Sequence, residues 1–470
     1  MPSLAWRPLT VVAALLSALL LALSPLYGYH RDELYFRYLA EHPAWGYVDQ
    51  PPLTPMLAKV SIALFGDTLT GLRIPAVLST VVLILVVALI TRELGGEGRA
   101  QVLAAAGIGT GAFTLIAGHS LLTLSADLPL WSAAILFVLR VLLRGDGRWW
   151  LAAGAVIGVA TYNKHLIALL VIGLAAGVLA VGPRRILRDP WLWAGAALAV
   201  LVAAPNLLFQ AMNGWPQLEM AAALSADKGA EMRALFVPMQ IVLFGPVVAF
   251  VAARGWLRLW RDERLRCLAV AYPVAAALTL ISGGRFDYTA GLIILLFCAG
   301  VTQGLGPALA ANGVFCAIVG LPLIPVSLVG MTPVPQVNEV VRESIGWPEF
   351  TAAVRSAVQT LTPEERARAV LLAGSYGEAG ALHLAGGLPP VYSGHSQLHA
   401  YGPPPESADV AVAVKYPRGG LETVFQTCVE HGRVDNAAGV DNEFRGLPVL
   451  VCRGLRMPWS AAWPRFQEYS

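Results

Sequence analysis

The chain has 470 residues, of which 56% are hydrophobic and only 13% are charged, and its mean hydropathy is +0.62. Soluble domains carry about 25% charged residues, so this composition excludes a purely soluble protein. The formal net charge of +3 is too small to indicate a nucleic-acid-binding protein. We therefore expect a polytopic α-helical membrane protein with some soluble mass attached.

Apolar stretches that approach the length needed to cross a bilayer, about 20 residues, recur along the first two thirds of the chain. They lie near residues 9–27, 72–91, 101–118, 127–143, 149–163, 165–182, 191–209, 235–253, 267–282, 288–304 and 311–330. The pattern predicts about eleven transmembrane helices. The first stretch has no clear small-residue cleavage site, so we expect a retained helix and not a signal peptide.

A polar segment, residues 27–55, follows the first apolar stretch directly. Asp32 and Glu33 stand at the start of a predicted short helix whose apolar stripe would lie on the membrane surface. Asp49 precedes Gln50 and a pair of prolines, which hold the backbone in an extended conformation. The segment therefore presents acidic side chains on a stiff backbone.

Further polar groups interrupt the later apolar stretches. They include His119 and Asp127, Lys164 and His165, Asn213, and Arg285 with Tyr288. Ionisable groups at membrane depth are costly and usually face a bundle interior or a water-filled cavity. We expect these clusters and the 27–55 segment to line one cavity on one side of the membrane.

Basic residues predict which side that is. With the N-terminus inside, the cytoplasmic loops carry most of the arginines: Arg92, Arg99, Arg140, Arg144, Arg148, Arg184, Arg185, Arg188, Arg254, Arg258, Arg261, Arg264 and Arg266. The opposite loops carry fewer basic residues, and an excess of basic residues marks the cytoplasmic side. The protein is thus expected in the cell membrane as a multi-pass protein, with its active site and C-terminal domain outside the cytoplasm.

The composition changes at Thr332. Helical patterns at 347–361, 377–385 and 419–427 alternate with β-rich runs at 369–372, 410–414 and 449–452, which predicts a small α/β domain. The expected domains are a membrane domain over 1–331, whose first outer loop is 28–71, and an extracytoplasmic α/β domain over 332–470. The turn at 374–380, GSYGEAG, is able to receive a phosphate, but a tight turn that needs glycine is the simpler explanation.

The five cysteines fall into two groups. Cys267, Cys298 and Cys316 lie in apolar stretches, where cysteine is usually a small buried hydrophobe. Cys428 and Cys452 lie in the polar C-terminal part and form a candidate disulfide if that part is outside the cytoplasm. The alternative is two unpaired thiols on packed elements.

Eight segments carry a family likeness: RDELYF (31–36), GYVDQPPLTP (46–55), SADLPLW (125–131), YNKH (162–165), PNLLFQAMNGWPQLE (205–219), YGEAGAL (376–382), LPPVYSGH (388–395) and VDNEFRGLPVLVCRG (440–454). Their order and spacing resemble the bacterial branch of glycosyltransferase family 39, which is related to protein O-mannosyltransferases and to the lipid A aminoarabinose transferase. The resemblance implies a GT-C type membrane glycosyltransferase. Such an enzyme takes a sugar from a polyprenyl-phosphate donor and transfers it on the outer face, usually with inversion.

The resemblance also implies roles for the acidic residues. Asp32 matches the position of the family's catalytic base, and an acceptor hydroxyl needs such a positioned base. Glu33 and Asp49 match neighbouring acidic positions that orient the acceptor, act on Asp32 by like-charge proximity or bind a divalent cation. If a divalent cation is the cofactor, Asp32 and Asp49 are its candidate ligands.

The donor side needs groups that stabilise the charge developing on the phosphate. The candidates are Lys164, His165 and Arg285, with Tyr288 as a hydrogen-bond donor. Asp127, His119 and Asn213 are further cavity residues. The chain departs from the aminoarabinose transferase pattern at Gln50, which stands where a lysine contacts phosphate in that family.

Each role has an alternative. Asp127 can cap a helix, Lys164 can extend its amine to the membrane interface, and the single histidines have no partner at metal-ligand spacing. For the whole protein, the first alternative is a multi-pass transporter or flippase of a lipid-linked sugar, whose path the polar clusters would line. The second is a non-catalytic relative that binds lipid-linked sugar, against which the intact Asp32–Glu33 pair argues. The expected partners are a polyprenyl-phosphate sugar donor, membrane lipids and a glycan, lipid or protein acceptor, and no nucleic acid.

Overall fold

The structure is a computed structural model and describes residues 1–469. The chain forms two compact units. The first, here called the membrane unit, comprises Met1–Ser24 and Ala44–Leu321, and the second, the α/β unit, comprises Pro25–Pro43 and the chain from Pro322 onward. This division differs from the sequence-based one, which set the boundary at 331 and placed all of 28–71 in the membrane domain.

Helices make up most of the first 321 residues. They are α1 (Trp6–Leu23), α2 (Arg31–Glu41), α3 (Leu53–Phe65), α4 (Leu69–Glu93), α5 (Gly98–Gly109), α6 (Ala112–His119), α7 (Thr123–Arg144), α8 (Trp149–Thr161), α9 (Ile167–Val181), α10 (Pro190–Met212), α11 (Pro216–Val242), α12 (Pro246–Arg261), α13 (Arg266–Ser282), α14 (Ala290–Gly300) and α15 (Gly306–Gly320). Helix α2 is part of the α/β unit and the others form the membrane unit.

Many of these helices can cross a bilayer. Within residues 1–469, five are long and apolar enough to do so, namely α1, α4, α7, α10 and the helix Gln303–Gly320 that contains α15. Two bent pairs, α5 with α6 and α11 with α12, raise the number to seven if each is one span. Shorter apolar helices are α3, α8, α9, α13 and Phe286–Gly300. The chain is a multi-pass membrane protein.

Two predicted spans are interrupted in the structure. The apolar stretch 235–253 was predicted as one helix, but α11 and α12 meet there at an angle of 92°. Gly245 has a φ of +90°, and Pro246 begins α12 because proline has no N–H to continue the preceding helix. The stretch 101–118 is likewise bent by 64° between α5 and α6.

Glycines allow close helix packing in the membrane unit. A Cβ atom on Gly255 of α12 would lie 1.7 Å from the carbonyl oxygen of Leu296 on α14, and one on Gly300 would lie 2.0 Å from the carbonyl oxygen of Val251. Only glycine fits at such backbone contacts, which is how small residues support helix association in membranes.

The α/β unit contains the shorter elements of the C-terminal part. Its helices here are α16 (Val326–Val329), α17 (Val334–Val337), α18 (Glu339–Arg342), α19 (Trp347–Gln359), α20 (Pro363–Ala367), α21 (Tyr376–Ala385), α22 (Arg418–Glu422) and α23 (Trp459–Ala462). Its strands are β1 (Ala369–Ala373), β2 (Val391–Tyr392), β3 (Val410–Val414), β4 (Phe425–Arg433) and β5 (Pro448–Leu455).

The five strands form one mixed sheet in the order β2-β1-β3-β5-β4. Strand β1 is parallel to β2 and β3, whereas β5 is antiparallel to β3 and β4. Every residue of β1 and β3 is buried, as expected for central strands covered on both faces. A disulfide joins Cys428 of β4 to Cys452 of β5, which are directly paired in the sheet.

Candidate active site

The start of α2 is fixed by local hydrogen bonds. Nδ1 of His30 accepts a hydrogen bond from the backbone N–H of Asp32 at 3.2 Å, and Oε2 of Glu33 accepts one from the backbone N–H of His30 at 2.9 Å. Such a reciprocal cap satisfies backbone donors that a helix start leaves unpaired. Glu33 is fully buried, so its carboxylate contributes to the helix start.

Asp32, the predicted base, lies one residue before Glu33 and has a different environment. Its side chain is 33% exposed. Oδ1 of Asp32 accepts a hydrogen bond from the hydroxyl of Tyr376 at 2.8 Å, and Nε of Arg31 lies 3.9 Å from the same oxygen. Asp32 is thus held by Tyr376 of the same unit and is still open to solvent.

A chain of alternating charges continues from Arg31. Its guanidinium donates to Glu443 and lies 3.7 Å from Glu339. Nζ of Lys415 lies 2.7 Å from Glu443 and 3.6 Å from Glu378. Burial alone would raise the pKa of Glu443, but Arg31 and Lys415 outweigh it and lower that pKa to about 2.

The membrane unit brings together several of the predicted donor-binding residues. Nζ of Lys164 lies 5.9 Å from the centre of the Tyr288 ring, within the range of a cation–π contact. Nε of Arg285 donates to Asp287 at 3.0 Å. Asp127 interacts electrostatically with both Lys164 and Asp287, so these side chains form one cluster. Here we call it the basic–aromatic cluster: Asp127, Lys164, Arg285, Asp287 and Tyr288.

Hydrogen bonds of Asn163 support this cluster. Nδ2 of Asn163 donates to the carbonyl oxygen of Thr123 at 2.8 Å and lies 3.4 Å from Oδ1 of Asp127. The hydroxyl of Thr54 donates to Oδ1 of Asn163 at 3.2 Å. Asn163 precedes Lys164 directly, so its buried contacts fix the backbone from which that lysine projects.

The remaining predicted residues make other contacts. His165 is paired with Asn206 at 2.8 Å, His119 with Arg73 at 3.2 Å, and Asn213 donates to the carbonyl oxygen of Phe209 at 2.8 Å. The last bond is a local contact within one helical turn.

Two further residues from the sequence analysis, Asp49 and Gln50, lie in the loop before α3. Asp49, a candidate metal ligand, is half-buried, and Gln50 is buried. Nε2 of Gln50 has no hydrogen-bond partner within residues 1–469, although a buried amide normally has one. Asp32 and Asp49 belong to different units, and no group of three or more potential metal ligands occurs within the described chain.

Sequence reasoning missed part of the surroundings of Asp32. Tyr376 and Glu443 lie in two of the segments that carry the family likeness, but the likeness gave them no role. Lys415 follows the buried strand β3 directly. A charged residue directly after a buried strand is the feature of the sequence that could have indicated a functional position. Sequence reasoning gave Arg73 no role, whereas the structure buries it with His119.

Comparisons with known proteins agree with the resemblance found in the sequence. Residues 49–209 match the family model described as dolichyl-phosphate-mannose-protein mannosyltransferase. A search of curated proteins gives no match.

Among solved structures, the chain is similar to ArnT from Cupriavidus metallidurans in the apo state, with a TM-score of 0.57, and bound to undecaprenyl phosphate, with a TM-score of 0.56. In both cases the identity is 16% and the match covers 94% of this chain and 97% of that chain. An Archaeoglobus fulgidus oligosaccharyltransferase is 16% identical over 81% of this chain and 63% of that chain, with a TM-score of only 0.48. The likeness to ArnT confirms the predicted GT-C membrane fold.

Proposed function

We propose that this GT-C protein is a membrane glycosyltransferase that moves a sugar from a polyprenyl-phosphate donor to an acceptor hydroxyl on the outer face of the membrane. The observation that carries the proposal is the fold shared with ArnT over nearly the full length of both chains, because ArnT was solved bound to undecaprenyl phosphate. The family model matched by residues 49–209 supports the same chemistry.

The basic–aromatic cluster is the proposed site for the donor phosphate. Lys164 and Arg285 supply positive charge and Tyr288 a hydroxyl donor, and such groups stabilise the charge that develops on a phosphate leaving group. Each cation has a carboxylate neighbour: Asp287 is ion-paired with Arg285, and Asp127 interacts electrostatically with Lys164. His165 and the buried amide of Gln50 are further proposed donors to the phosphate.

Asp32 is the proposed general base. In a single displacement it takes the proton from the acceptor hydroxyl while the acceptor oxygen forms a bond to the anomeric carbon. The bond between that carbon and the phosphate oxygen breaks, and polyprenyl phosphate leaves with the electron pair. This step inverts the anomeric configuration. The partial exposure of Asp32 supports the role, because a base must be open to its substrate.

The orientation of the protein is part of the proposal. The arginine-rich loops favour a cytoplasmic location for one side of the membrane unit. The disulfide between Cys428 and Cys452 supports an extracytoplasmic location for the α/β unit, since disulfides persist in oxidising compartments. We therefore place the reaction outside the cytoplasm.

Transfer of labelled sugar tests the function. Membranes containing the chain are supplied with a panel of radiolabelled polyprenyl-phosphate sugars, and membranes without the chain serve as the control. We expect label from one donor to move from the lipid into a glycan, protein or second lipid. Movement of the intact labelled lipid across the bilayer, with no sugar transferred from any donor, would instead establish the transporter or flippase.

A further inference from the structure

Two segments of the C-terminal part, residues 376–380 (YGEAG) and 440–443 (VDNE), have no role in the function proposed above. In the α/β unit both contact the first turn of α2, which carries Arg31 and Asp32. Within the α/β unit, side chains of the C-terminal part therefore contact the proposed base and its neighbour Arg31.

Tyr376 is the direct contact. Its hydroxyl donates to Oδ1 of Asp32 at 2.8 Å. Its ring lies 4.5 Å from that of Tyr35 in a stacked arrangement and 5.0 Å from that of His395. The hydroxyl of Tyr35 accepts a hydrogen bond from the backbone N–H of Gln397 at 3.2 Å. These contacts fix the Tyr376 ring and hence the point from which its hydroxyl donates.

The protonation states support this direction of the hydrogen bond. Burial raises the pKa of Tyr376 well above its ordinary value, so the hydroxyl keeps its proton. Burial also lowers the pKa of His395 to about 4, so the ring against Tyr376 is neutral near pH 7. Tyr376 is thus the donor and Asp32 the acceptor.

Two glycines of the YGEAG segment bring α21 close enough for this contact. A Cβ atom on Gly377 would lie 2.8 Å from Cβ of Arg31, and one on Gly380 would lie 2.8 Å from the carbonyl carbon and oxygen of Leu34. A larger residue at Gly380 would push against the backbone of α2. The glycines therefore set the distance between Tyr376 and Asp32.

The VDNE segment acts on Arg31. The guanidinium is hydrogen-bonded to Glu443 but approaches Asp32 only to 3.9 Å. Nζ of Lys415 lies 2.7 Å from Glu443 and holds it in place. The backbone of Lys415 has a φ of +63°, which is a costly conformation for a residue other than glycine. Glu443 and Asp32 thus share the guanidinium of Arg31, with Glu443 as the hydrogen-bonded partner.

We propose that Tyr376 and Glu443 are positioning residues for Asp32. Tyr376 occupies Oδ1 and fixes the carboxylate, which leaves Oδ2 to take the proton from the acceptor hydroxyl, while Glu443 holds Arg31 beside the carboxylate. This inference rests on the proposed function and gives both C-terminal segments a place in it.

Two variants test this role, and the midpoint of thermal unfolding gives the first readout. Tyr376→Phe and Glu443→Gln keep nearly the shape of the original side chains, so both should remain folded at the assay temperature. In Glu443→Gln the hydrogen bond to Arg31 is weakened, so kcat for transfer should fall. A fall in kcat with folded protein then reports positioning of Asp32 and not loss of structure.

The rates give a second readout. We expect kcat to fall about 10- to 100-fold in Tyr376→Phe, the loss expected when one hydrogen bond to a charged group is removed, with little change in the KM for the acceptor. Tyr392→Phe, in strand β2 of the same unit, is the matched control and should behave as wild type. Equal kcat values for wild type, Tyr376→Phe and Glu443→Gln would overturn the inference.

A measurement that does not need activity separates failure of this inference from failure of the proposed function. The midpoints of thermal unfolding in detergent are compared for Asp32→Ala, Tyr376→Phe and the double variant. The contact predicts that the double variant loses less than the sum of the two single losses. If wild type transfers no sugar from any donor, the function fails and the positioning role with it, and coupling in this cycle then reports a structural contact alone. Additive losses would show that Asp32 and Tyr376 do not interact, which contradicts the inference.

Discussion

At the scale of single residues, adjacent acidic side chains make different contacts. Asp32 is partly exposed and bonded to Tyr376, whereas Glu33 is buried and bonded to the backbone N–H of His30. The sequence shows both as members of one acidic pair. The two side chains leave the first turn of α2 in different directions. This difference alone separates a proposed base from a residue that caps the helix.

Variants of Glu33 test this separation. Glu33→Gln keeps an oxygen that can accept from His30, so we expect nearly unchanged transfer and stability. Glu33→Ala leaves the buried backbone N–H of His30 without this partner and should lower the free energy of unfolding by about 1–3 kcal/mol. Thermal unfolding and sugar transfer are measured on both. A loss of activity in Glu33→Gln as large as that in an Asp32 variant would contradict the assignment of Glu33 as a cap.

At the scale of secondary-structure elements, the packing of α21 on α2 decides where Asp32 lies. The contact depends on Gly377 and Gly380, which stand three residues apart and therefore on one face of α21. Their side-chain hydrogens replace the Cβ atoms that would meet Arg31 and Leu34.

Gly380→Ala tests this packing. The added methyl meets the backbone of Leu34, which cannot rotate away, so we expect a loss of about 1–3 kcal/mol of stability and reduced transfer. Gly420→Ala, in helix α22, is the matched control because its Cβ would meet no atom within 4 Å. Unfolding midpoints of the two variants are compared with wild type. Equal stability of Gly380→Ala and wild type would show that the contact can relax.

Several elements were predictable from sequence because their signal is local. Helix α19, strand β3 and helix α21 lie within two residues of the predicted ranges 347–361, 410–414 and 377–385. The predicted helix at 419–427 was wrong: a short helix, Arg418–Glu422, is followed by strand β4. Strand β4 is at the edge of the sheet and mostly exposed, so it lacks the continuous apolar run of a buried strand.

The surroundings of Asp32 were less predictable because they depend on distant parts of the chain. Tyr376 is 344 residues from Asp32, and Glu443 is 412 residues from Arg31. Single-sequence patterns report periodicity within an element and carry no information on such pairs. The basic–aromatic cluster was partly predictable, since each of its members interrupts an apolar stretch and such interruptions are costly unless they are used.

At the scale of the whole molecule, the two units have different chemistry. The membrane unit carries apolar helices joined by arginine-rich loops, and the α/β unit carries a mixed sheet closed by a disulfide. The three other cysteines, Cys267, Cys298 and Cys316, are buried in the membrane unit and have no disulfide partner in the described chain. The disulfide therefore supports the proposed extracytoplasmic location of the α/β unit.

Thiol labelling of intact cells tests the orientation. A membrane-impermeant maleimide should label the chain only after a reductant has opened the disulfide, and Cys428→Ser with Cys452→Ser should abolish this labelling. The double variant should also lose about 2–4 kcal/mol of stability. Labelling that requires cell lysis would place the α/β unit in the cytoplasm and contradict the proposed orientation.

The most direct test of the central claim is sugar transfer by wild type and Asp32→Asn with the donor identified from the panel. Asparagine keeps an oxygen for Tyr376 and nearly the same shape but cannot act as a base, and general bases contribute about 10²- to 10⁴-fold. We therefore expect a rate loss of that size while donor binding is retained. Asp435→Asn, at a side chain of the same unit that is 75% exposed, should transfer as wild type. Equal rates for wild type and Asp32→Asn would contradict the assignment of Asp32 as the base.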